Sequence, residues 1–331
     1  MKHFFVINPH SFRIPGSMEQ VLADISKVFS DGQDHEIYMS RYTRDAIAAV
    51  HHYIRCFSPE ETVRVYAVGG DGILFDCLNG MADFPSAEIT NVPYGKANDF
   101  VRAFGNDVKR SFCDIKKLSQ SPSQLVDTIY CGSNYAINEV AVGIAAECVL
   151  IANTMFRSKR AKLYNSFASQ IYSLGAIMAL LNEEIMRQQY RVILDDDEDV
   201  SGNYCNITIS NGPCNGGSMI PNPYARANDG MLDVIFTASD KTFTVLKNLN
   251  DYNKGYFEKH KMFFRKRCKK IELESKAPIR VHMDGEAFCT DALKAEIKPA
   301  HIRFFAPEGM DFADYSHRAY RGNTAKGRLD K

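Results

Sequence analysis

Residues 1–124 alternate short apolar runs with segments in which apolar residues recur every three or four positions. The runs HFFVINP, HEIYMS, TVRVYAV and AEITNVP predict buried strands. The segments SMEQVLADISKVF and TRDAIAAVHHYI, and the stretch that begins at ANDFVRAF, have the spacing of helices. Strands that alternate with helices indicate a parallel sheet with helices on its faces.

The pattern changes at about residue 125, where strand-like runs begin to follow one another. QLVDTIYCG, NYAINEVAVG, GMLDVIFT, KKIELES, PIRVHMDGE and LKAEIKP predict a largely antiparallel second domain over residues 125–299. Residues 148–188 interrupt it as a mostly helical insertion. The apolar residues of FASQIYSLGAIMALL in this insertion either pack in the core or line a cleft for an acyl chain.

Composition narrows the class of protein without naming a partner. The 331 residues carry 40 basic and 40 acidic side chains, so the global charge predicts no partner. Nine cysteines without a C-x-x-C pair indicate reduced thiols in a cytoplasmic protein and disfavour a disulfide framework or a zinc site. The longest apolar stretch, VAVGIAAECVLIA, is too short for a membrane span, so we expect any membrane contact to be peripheral.

Glycines and polar residues follow the predicted carboxyl ends of four strands, at Asn8, Ser40, Gly69 and Gly95. Ligands of parallel sheets bind at such ends. The loop GGDG, residues 69–72, offers backbone N–H groups and a helix N-terminus to an anion. The same four residues also fit a tight turn in which the aspartate caps the following helix, so the loop alone leaves both interpretations open.

The next strand end, NVPYGKANDFVRAFG, adds charged residues to the same edge of the sheet. Lys96 is placed to offset phosphate charge, and Asp99 supplies a second carboxylate, which favours a metal–phosphate centre. The alternative is that Asn98 or Asp99 is only the N-cap of the following helix.

These motifs together resemble the catalytic domain of diacylglycerol kinases, a family that includes sphingosine kinases, ceramide kinases and bacterial lipid kinases. The resemblance begins with GGDG followed by VPYGKANDF. INPHS, SNGPCNGGSMIPNPYARANDGMLDVIF and VHMDGEAF are similar to further family elements and stand in the family's order, so that the motifs span residues 7–288. NAD kinases and phosphofructokinases share the GGDG loop but not the ANDF and DG.LDV elements.

The resemblance implies an α/β nucleotide-binding domain of the NAD-kinase and phosphofructokinase kind at residues 1–124. In this family the C-terminal segment returns to the first domain, which would then be completed by residues 300–331. The β-rich domain at 125–299 would shape the lipid site, and the cleft between the domains would carry the chemistry.

The resemblance also implies roles for individual residues. The nucleotide-binding set comprises Asn8, Pro9, His10, Ser11, Phe12, Ser40, Gly69, Gly70, Asp71, Gly72, Lys96, Asn98 and Asp99. Asp71 would in addition orient the Mg²⁺ ion that accompanies ATP. Glu286 would accept the proton of the lipid hydroxyl, with Asp284 as the reserve candidate or a partner of a second Mg²⁺. Without the resemblance, MDGE indicates a hairpin turn with exposed acids.

A second metal loop is implied by ARANDGMLD. By the resemblance, Asp229 would bind Mg²⁺ through its side chain, and the carbonyl groups of Arg226 and Met231 would contribute. Hard oxygen ligands from one short loop suit this cation. The residues alone equally indicate an Asn-Asp-Gly turn that leads into a strand.

The chain departs from the family pattern at positions near the phosphates. Ile73 and Lys96 stand where the family has hydroxyl residues, and Phe12 and Arg44 replace glycines. The retained acidic residues favour an active ATP- and Mg²⁺-dependent kinase for diacylglycerol or a related lipid alcohol. Two alternatives stay open: a catalytically weak nucleotide- or lipid-binding regulator, and a kinase for a soluble acceptor such as NAD.

A basic-aromatic stretch, KHKMFFRKRCKK at residues 259–270, bears on partners. It predicts docking to anionic lipid headgroups or, alternatively, a solvated strand pair with Phe263 and Phe264 partly in the core. No nucleic-acid-binding module is recognisable. We expect a cytoplasmic protein that meets its lipid substrate peripherally at the inner face of the membrane, with a homodimer left open.

Overall fold

The computed structural model describes residues 1–30, 35–105, 107–156 and 168–316. The helices are α1 Ser17–Val28, α2 Asp45–Ile54, α3 Asp71–Met81, α4 Lys109–Phe112, α5 Ile115–Gln120, α6 Ile144–Phe156, α7 Ala168–Leu181, α8 Glu183–Met186 and α9 Thr242–Asn253. The strands are β1 Lys2–Ile7, β2 His35–Met39, β3 Val63–Gly69, β4 Ala87–Pro93, β5 Ser123–Cys131, β6 Asn134–Ala136, β7 Glu139–Gly143, β8 Gln189–Leu194, β9 Glu198–Asp199, β10 Gly202–Ser210, β11 Leu232–Ala238, β12 Phe263–Cys268, β13 Lys270–Met283 and β14 Glu286–Phe305.

The N-terminal part contains the predicted parallel sheet, in the order β4-β3-β1-β2. Both β3 and β4 are buried along their whole length, as expected of central strands covered by helices on both faces. Because the four strands are parallel, their carboxyl ends lie at one edge of the sheet.

The second part is the predicted antiparallel, β-rich domain, so the fold class is confirmed. Its strands follow in the order β12-β11-β10-β7-β13-β14. KKIELES and PIRVHMDGE, expected to be separate strands, form the single strand β13, and the pairing with β14 shifts in register between Glu274 and Ile279. The predicted insertion contains α6, α7 and α8, with residues 157–167 outside the described part.

Strand β14 connects the two parts. Its first half pairs with β13, whereas Arg303 and Phe304 lie parallel to β4 of the first sheet. Ile302 and Phe304 are buried in the first domain's core. The expected boundaries at 124/125 and 299/300 therefore fall inside β5 and β14 and not in linkers, and residues 317–331 of the expected C-terminal completion lie outside the described residues.

The buried side chain of Arg64 stabilises the junction between the two parts. Its Nε donates to Oε2 of Glu88 at 2.8 Å, and its guanidinium also donates to the carbonyl groups of Ser119 and Ser121. The same group lies 4.7 Å from the ring centroid of Phe305. One buried cation thus holds β3, β4, the end of α5 and the end of β14 together.

Candidate functional site

The loops after four parallel strands meet at one edge of the first sheet. The amide of Asn8 donates to Val68 O at 3.0 Å, and the amide of Ser40 donates to Ile7 O at 2.8 Å. The amides of Tyr94 and Gly95 both donate to Gly69 O at 3.0 Å. The structure therefore brings the predicted nucleotide-binding segments together, although their contact with a nucleotide remains a prediction.

Two glycines allow the third and fourth of these loops to touch. A Cβ atom on Gly95 would lie 2.2 Å from the Cα of Gly70, which no real pair of atoms tolerates. At Gly72, by contrast, a Cβ would meet nothing within 4 Å. The GGDG loop is thus closed on the side of Gly95 and open at Gly72, the side on which a ligand has room.

Asp71 joins the two loops through its side chain. It begins α3, whose N-cap is Gly70, and its two carboxylate oxygens accept the amides of Asn98 at 2.8 Å and Asp99 at 2.6 Å. The sequence left open whether Asp71 caps a helix or binds a cation. The observed bonds show a third role, because the Asp71 carboxylate holds the neighbouring loop in place. Each oxygen still has a lone pair for a cation.

Asn98 shapes the loop that Asp71 holds. Its side chain accepts from the amide of Gly95 at 3.1 Å and donates to the carbonyl of Gly95 at 2.7 Å, and its φ is 50°. The expectation that Asn98 or Asp99 caps an α-helix was wrong, because this tight loop is followed only by a short 3₁₀ turn at Val101–Phe104.

The remaining predicted residues border this edge. The ring of Phe12 packs on that of Tyr94, with centroids 4.6 Å apart, and Asn8 caps the 3₁₀ turn Pro9–Ser11. Ser40 donates through Oγ to Asp45 at 2.7 Å, which orders the start of α2. Lys96 is exposed at the rim.

The second domain contributes Asp284 from the β13–β14 hairpin. Asp284 and Gly285 have φ values of 46° and 92°, as a two-residue hairpin turn requires. The Asp284 carboxylate is only 8% exposed and accepts the amides of Ile137, Asn138 and Glu139 at 2.7 to 3.1 Å. The interpretation as an exposed turn acid was therefore wrong for Asp284, which orders the connection between β6 and β7. Its role as a reserve base or Mg²⁺ partner remains a prediction.

The tertiary structure gathers four carboxylates from both domains, namely those of Asp71, Asp99, Glu139 and Asp284. Burial, followed by the Asp71 charge, raises the pKa of Asp99 to about 7. Burial also raises the pKa of Asp284 to about 7 and that of Glu139 well above its ordinary value, with the other three acids adding to the effect on Glu139. So many buried acids repel one another, and a divalent cation between them would relieve the repulsion.

Glu139 is the member of this cluster that sequence reasoning missed. Its Oε1 accepts from the side-chain amide of Asn215 at 2.5 Å and lies 3.4 Å from Nε2 of His282. The available signal was one acid at the start of the otherwise apolar strand β7, namely the glutamate of the Asn-Glu pair in NYAINEVAVG. From the sequence, a single acidic residue in a predicted strand does not show whether its position belongs to a functional site or to the solvent-exposed surface.

Asp99 also forms a direct hydrogen bond to the backbone of the second domain. Asp99 accepts the amide of Gly217 at 2.7 Å, so the loop after β4 is fixed to the glycine-rich segment after β10. Arg102 lies beside the same carboxylate at 3.5 Å. These contacts join the two domains beside the cluster of carboxylates.

Glu286, the predicted base, lies half-buried at the start of β14, opposite Met283. Its charge acts on Asp76 of α3, whose pKa is raised to about 7 by burial first and by Glu286 second. The amide of Arg44 donates to Asp76 at 3.2 Å. Glu286, although it belongs to the second domain, thus lies near the helix that follows GGDG.

The predicted second metal loop has a weaker donor set. Asp229 accepts the amide of Met231 at 3.1 Å and the guanidinium of Arg267, while the Arg226 side chain pairs with Asp314. A cation at Asp229 would have to displace Arg267. In the described part of the chain, no group of three or more His, Cys, Asp or Glu residues is arranged to hold a metal ion, so any cation would need carbonyl, water or phosphate oxygens as further ligands.

The basic-aromatic stretch is largely neutralised. Arg265 donates to Asp233 at 2.6 Å, Lys266 pairs with Glu198 at 2.6 Å, and further pairs join Arg267 to Asp229 and Lys270 to Asp196. Phe263 is buried, and Phe264 stacks on Phe236 at 4.8 Å. The stretch fits the alternative of a strand pair with its phenylalanines in the core.

Comparison with known families agrees with the motif order. The model for the diacylglycerol kinase catalytic domain matches residues 2–131, and the model for the YegS C-terminal NAD kinase beta sandwich-like domain matches residues 138–306. The chain belongs to the diacylglycerol kinase catalytic-domain family.

Two curated relatives of this family have low sequence identity to this chain. A probable lipid kinase YegS-like from Pseudomonas fluorescens is 26% identical over 299 residues, which is 88% of this chain and 91% of the relative. A protein of the same name from Shewanella frigidimarina is 26% identical over 257 residues, or 74% and 76% of the two chains. A crystal structure titled as a diacylglycerol kinase from Bacillus anthracis has a TM-score of 0.67 at 18% identity, covers 94% of this chain and 98% of that one, and shows the shared fold.

In the ranges that the structure describes, no helix combines the length and the apolar character needed to cross a bilayer.

Proposed function

We propose that this protein is an ATP- and Mg²⁺-dependent lipid kinase that transfers the γ-phosphoryl group to the hydroxyl of diacylglycerol or a related lipid alcohol. The observation that supports it best is the convergence of two half-sites. The loops after β1, β2, β3 and β4 meet at one sheet edge, and carboxylates from the second domain face the acids of the GGDG and ANDF loops. The names of the curated relatives point to the same class of activity.

The residues of the cleft fit a divalent cation bound with a nucleotide. Asp71 and Asp99 are the carboxylates that would hold it, with Glu139 and Asp284 contributing negative charge behind them. When bound, Mg²⁺ would neutralise charge on the transferring phosphoryl group. The protein's own part is to fix the phosphates at Gly72 and the loop amides and to align the acceptor.

In the proposed reaction, the Glu286 carboxylate takes the proton of the acceptor hydroxyl. The hydroxyl oxygen then forms a bond to the γ-phosphorus while the bond to the β,γ-bridging oxygen breaks, and ADP leaves. Asp76, a buried acid whose pKa lies near 7, is close enough for its charge state to respond to that of Glu286. The cytoplasm, where ATP is abundant, is the compartment that we propose for this activity.

The decisive experiment replaces the proposed base. We expect Glu286→Gln to lower transfer of label from γ-labelled ATP to diacylglycerol in mixed micelles by roughly 100-fold or more, the usual worth of a general base. Glu60→Gln is the matched control, because Glu60 is exposed and precedes β3, at the amino-terminal edge of the parallel sheet. Unchanged activity in the Glu286 variant would remove that residue from the base role.

The same assay distinguishes the alternatives. The substitution at Ile73 is one reason to consider a regulator. Ile73 is buried against the GGDG loop, because a Cβ on Gly69 would lie 2.8 Å from the Cγ2 atom of Ile73. A methyl group therefore lies beside the proposed phosphate-binding loop. ATP binding without transfer to any lipid would support a regulator with lost catalysis. A labelled water-soluble product would support a soluble acceptor such as NAD.

A further inference from the structure

An apolar face on the helical insertion stands out from the rest of the surface. Six of the ten large apolar side chains that the described residues leave exposed lie on two adjacent helices. We define this apolar face by Leu174, Ile177, Met178 and Leu181 of α7 with Phe243 and Leu246 of α9. Isolated exposed apolar residues are ordinary, whereas a concentration of this kind marks an interaction surface.

The two helices form one unit. Thr242 of α9 donates to Leu180 O of α7 at 3.1 Å, and the buried residues Leu180 and Val245 share one core cluster. The residues of the apolar face on α7 recur at i, i+3, i+4 and i+7, so they lie on a single side of that helix. Leu181 is 72% exposed and Phe243 is 75% exposed, which leaves both available to a partner.

The apolar face is connected to the proposed catalytic hairpin through α6. A Cβ on Gly175 would lie 3.0 Å from the carbonyl oxygen of Cys148, so α7 packs closely on α6. Asn153 of α6 donates to Gly285 O at 3.1 Å, directly beside Glu286. Arg280 bridges Glu147 of α6 at 2.9 Å, which fixes α6 on β13.

We propose that the apolar face docks this protein on the surface of a phospholipid bilayer that contains anionic lipid. This rests on the proposed function, because a diacylglycerol-type acceptor resides in the bilayer and the apolar face lies partly on α7, which packs on α6, the helix that contacts the catalytic hairpin. On α9, exposed Lys241 and Lys247 flank Phe243 and Leu246, which places cations at the level of the headgroups on the α9 side when the apolar side chains insert. Exposed Asp240 and Glu183 lie before α9 and after α7, so the cationic border is confined to α9. The basic-aromatic stretch, by contrast, has most of its charge paired within the protein.

The test measures sedimentation with vesicles made of equal parts phosphatidylglycerol and phosphatidylethanolamine, without nucleotide. We expect the double variant Leu181→Asn, Phe243→Asn to lower the partition coefficient by about tenfold or more, given the transfer free energy of two such side chains. The matched control is Ile14→Asn, Leu125→Asn, since these residues are 74% and 47% exposed away from the apolar face. It should partition like wild type.

Equal vesicle binding by the double variant and wild type, or no binding by wild type, would overturn the docking proposal. A wild-type dimer that the double variant converts to a monomer in analytical ultracentrifugation would assign the apolar face to a second copy of the chain and overturn it as well.

Activity separates this proposal from the proposed function. The double variant should lose activity on vesicles and keep it in detergent micelles, where no docking is required. Absence of phosphoryl transfer in both formats, with vesicle binding intact, would refute the kinase and leave the docking surface standing.

Discussion

Replacing Gly95 by alanine tests whether the two phosphate-side loops are held as the structure indicates. The new Cβ would lie 2.2 Å from the Cα of Gly70 and 2.9 Å from its amide nitrogen. Both neighbours are backbone atoms, so no side-chain rotation relieves the clash. The loops must move apart by roughly 1 Å to restore an ordinary van der Waals contact.

That movement breaks the hydrogen bonds between the loops. The two bonds to Gly69 O, each 3.0 Å long, would stretch beyond the range of a hydrogen bond. The bonds from the amides of Asn98 and Asp99 to Asp71 would weaken too. At about 1 kcal/mol for a neutral bond and somewhat more for a charged one, Gly95→Ala should cost roughly 3 kcal/mol of unfolding free energy. For a chain of this size we expect the melting temperature to fall by roughly 4 °C.

The control lies in the same loop. Gly72→Ala adds the same methyl group where nothing lies within 4 Å, so its melting temperature should stay close to that of wild type. Scanning calorimetry of both variants, with isothermal titration of ATP, measures stability and nucleotide affinity together. If the Gly95→Ala variant has the same melting temperature as the Gly72→Ala variant and wild type, the two loops are not in close contact in solution and the reasoning is refuted.

Two further predictions concern the first domain. Arg64→Ala leaves Glu88 buried without its cation and should cost about 3–5 kcal/mol in urea denaturation, whereas Arg191→Ala, which removes an exposed pair with Glu274, should cost less than about 1 kcal/mol; equal costs would contradict the assigned junction role. Burial lowers the pKa of His3 from 6.5 to about 4. Between these two pH values the unfolded chain binds a proton at His3 and the folded chain does not. The unfolding free energy should therefore fall as the pH drops from 6.5 to about 4. His3→Gln should reduce that slope, and an unchanged slope would count against it.

Much of the architecture could be predicted because its signals are local. Apolar runs such as VRVYAVG specify buried strands, and the following glycines specify where each strand ends. The errors arose where a local signal was overridden. The polar start of ANDFVRAF resembles a helix cap, but Asp71 draws the amides of Asn98 and Asp99 into a tight loop.

The residues of the candidate site that belong to sequence motifs could be predicted, whereas Glu139, which lies outside these motifs, was missed. GGDG and MDGE were singled out because their residues are close in sequence. Glu139 joins the cluster only through folding, since Asn215 and the acids near it come from distant parts of the chain. The basic stretch was open to the membrane interpretation because its carboxylate partners, among them Glu198 and Asp233, lie far away in sequence.

The sequence by itself determined the order of strands and helices, the glycine loops at the strand ends and the family to which they belong. These features depend on backbone conformation and on residues a few positions apart. Only the tertiary structure decided that Asp71 anchors a second loop, that four carboxylates form one cluster, that an apolar face lies on α7 and α9, and that charges of the basic stretch on β12 are paired. The physical reason is that charge pairing and burial depend on which surfaces meet, and the partners of these groups are distant in sequence.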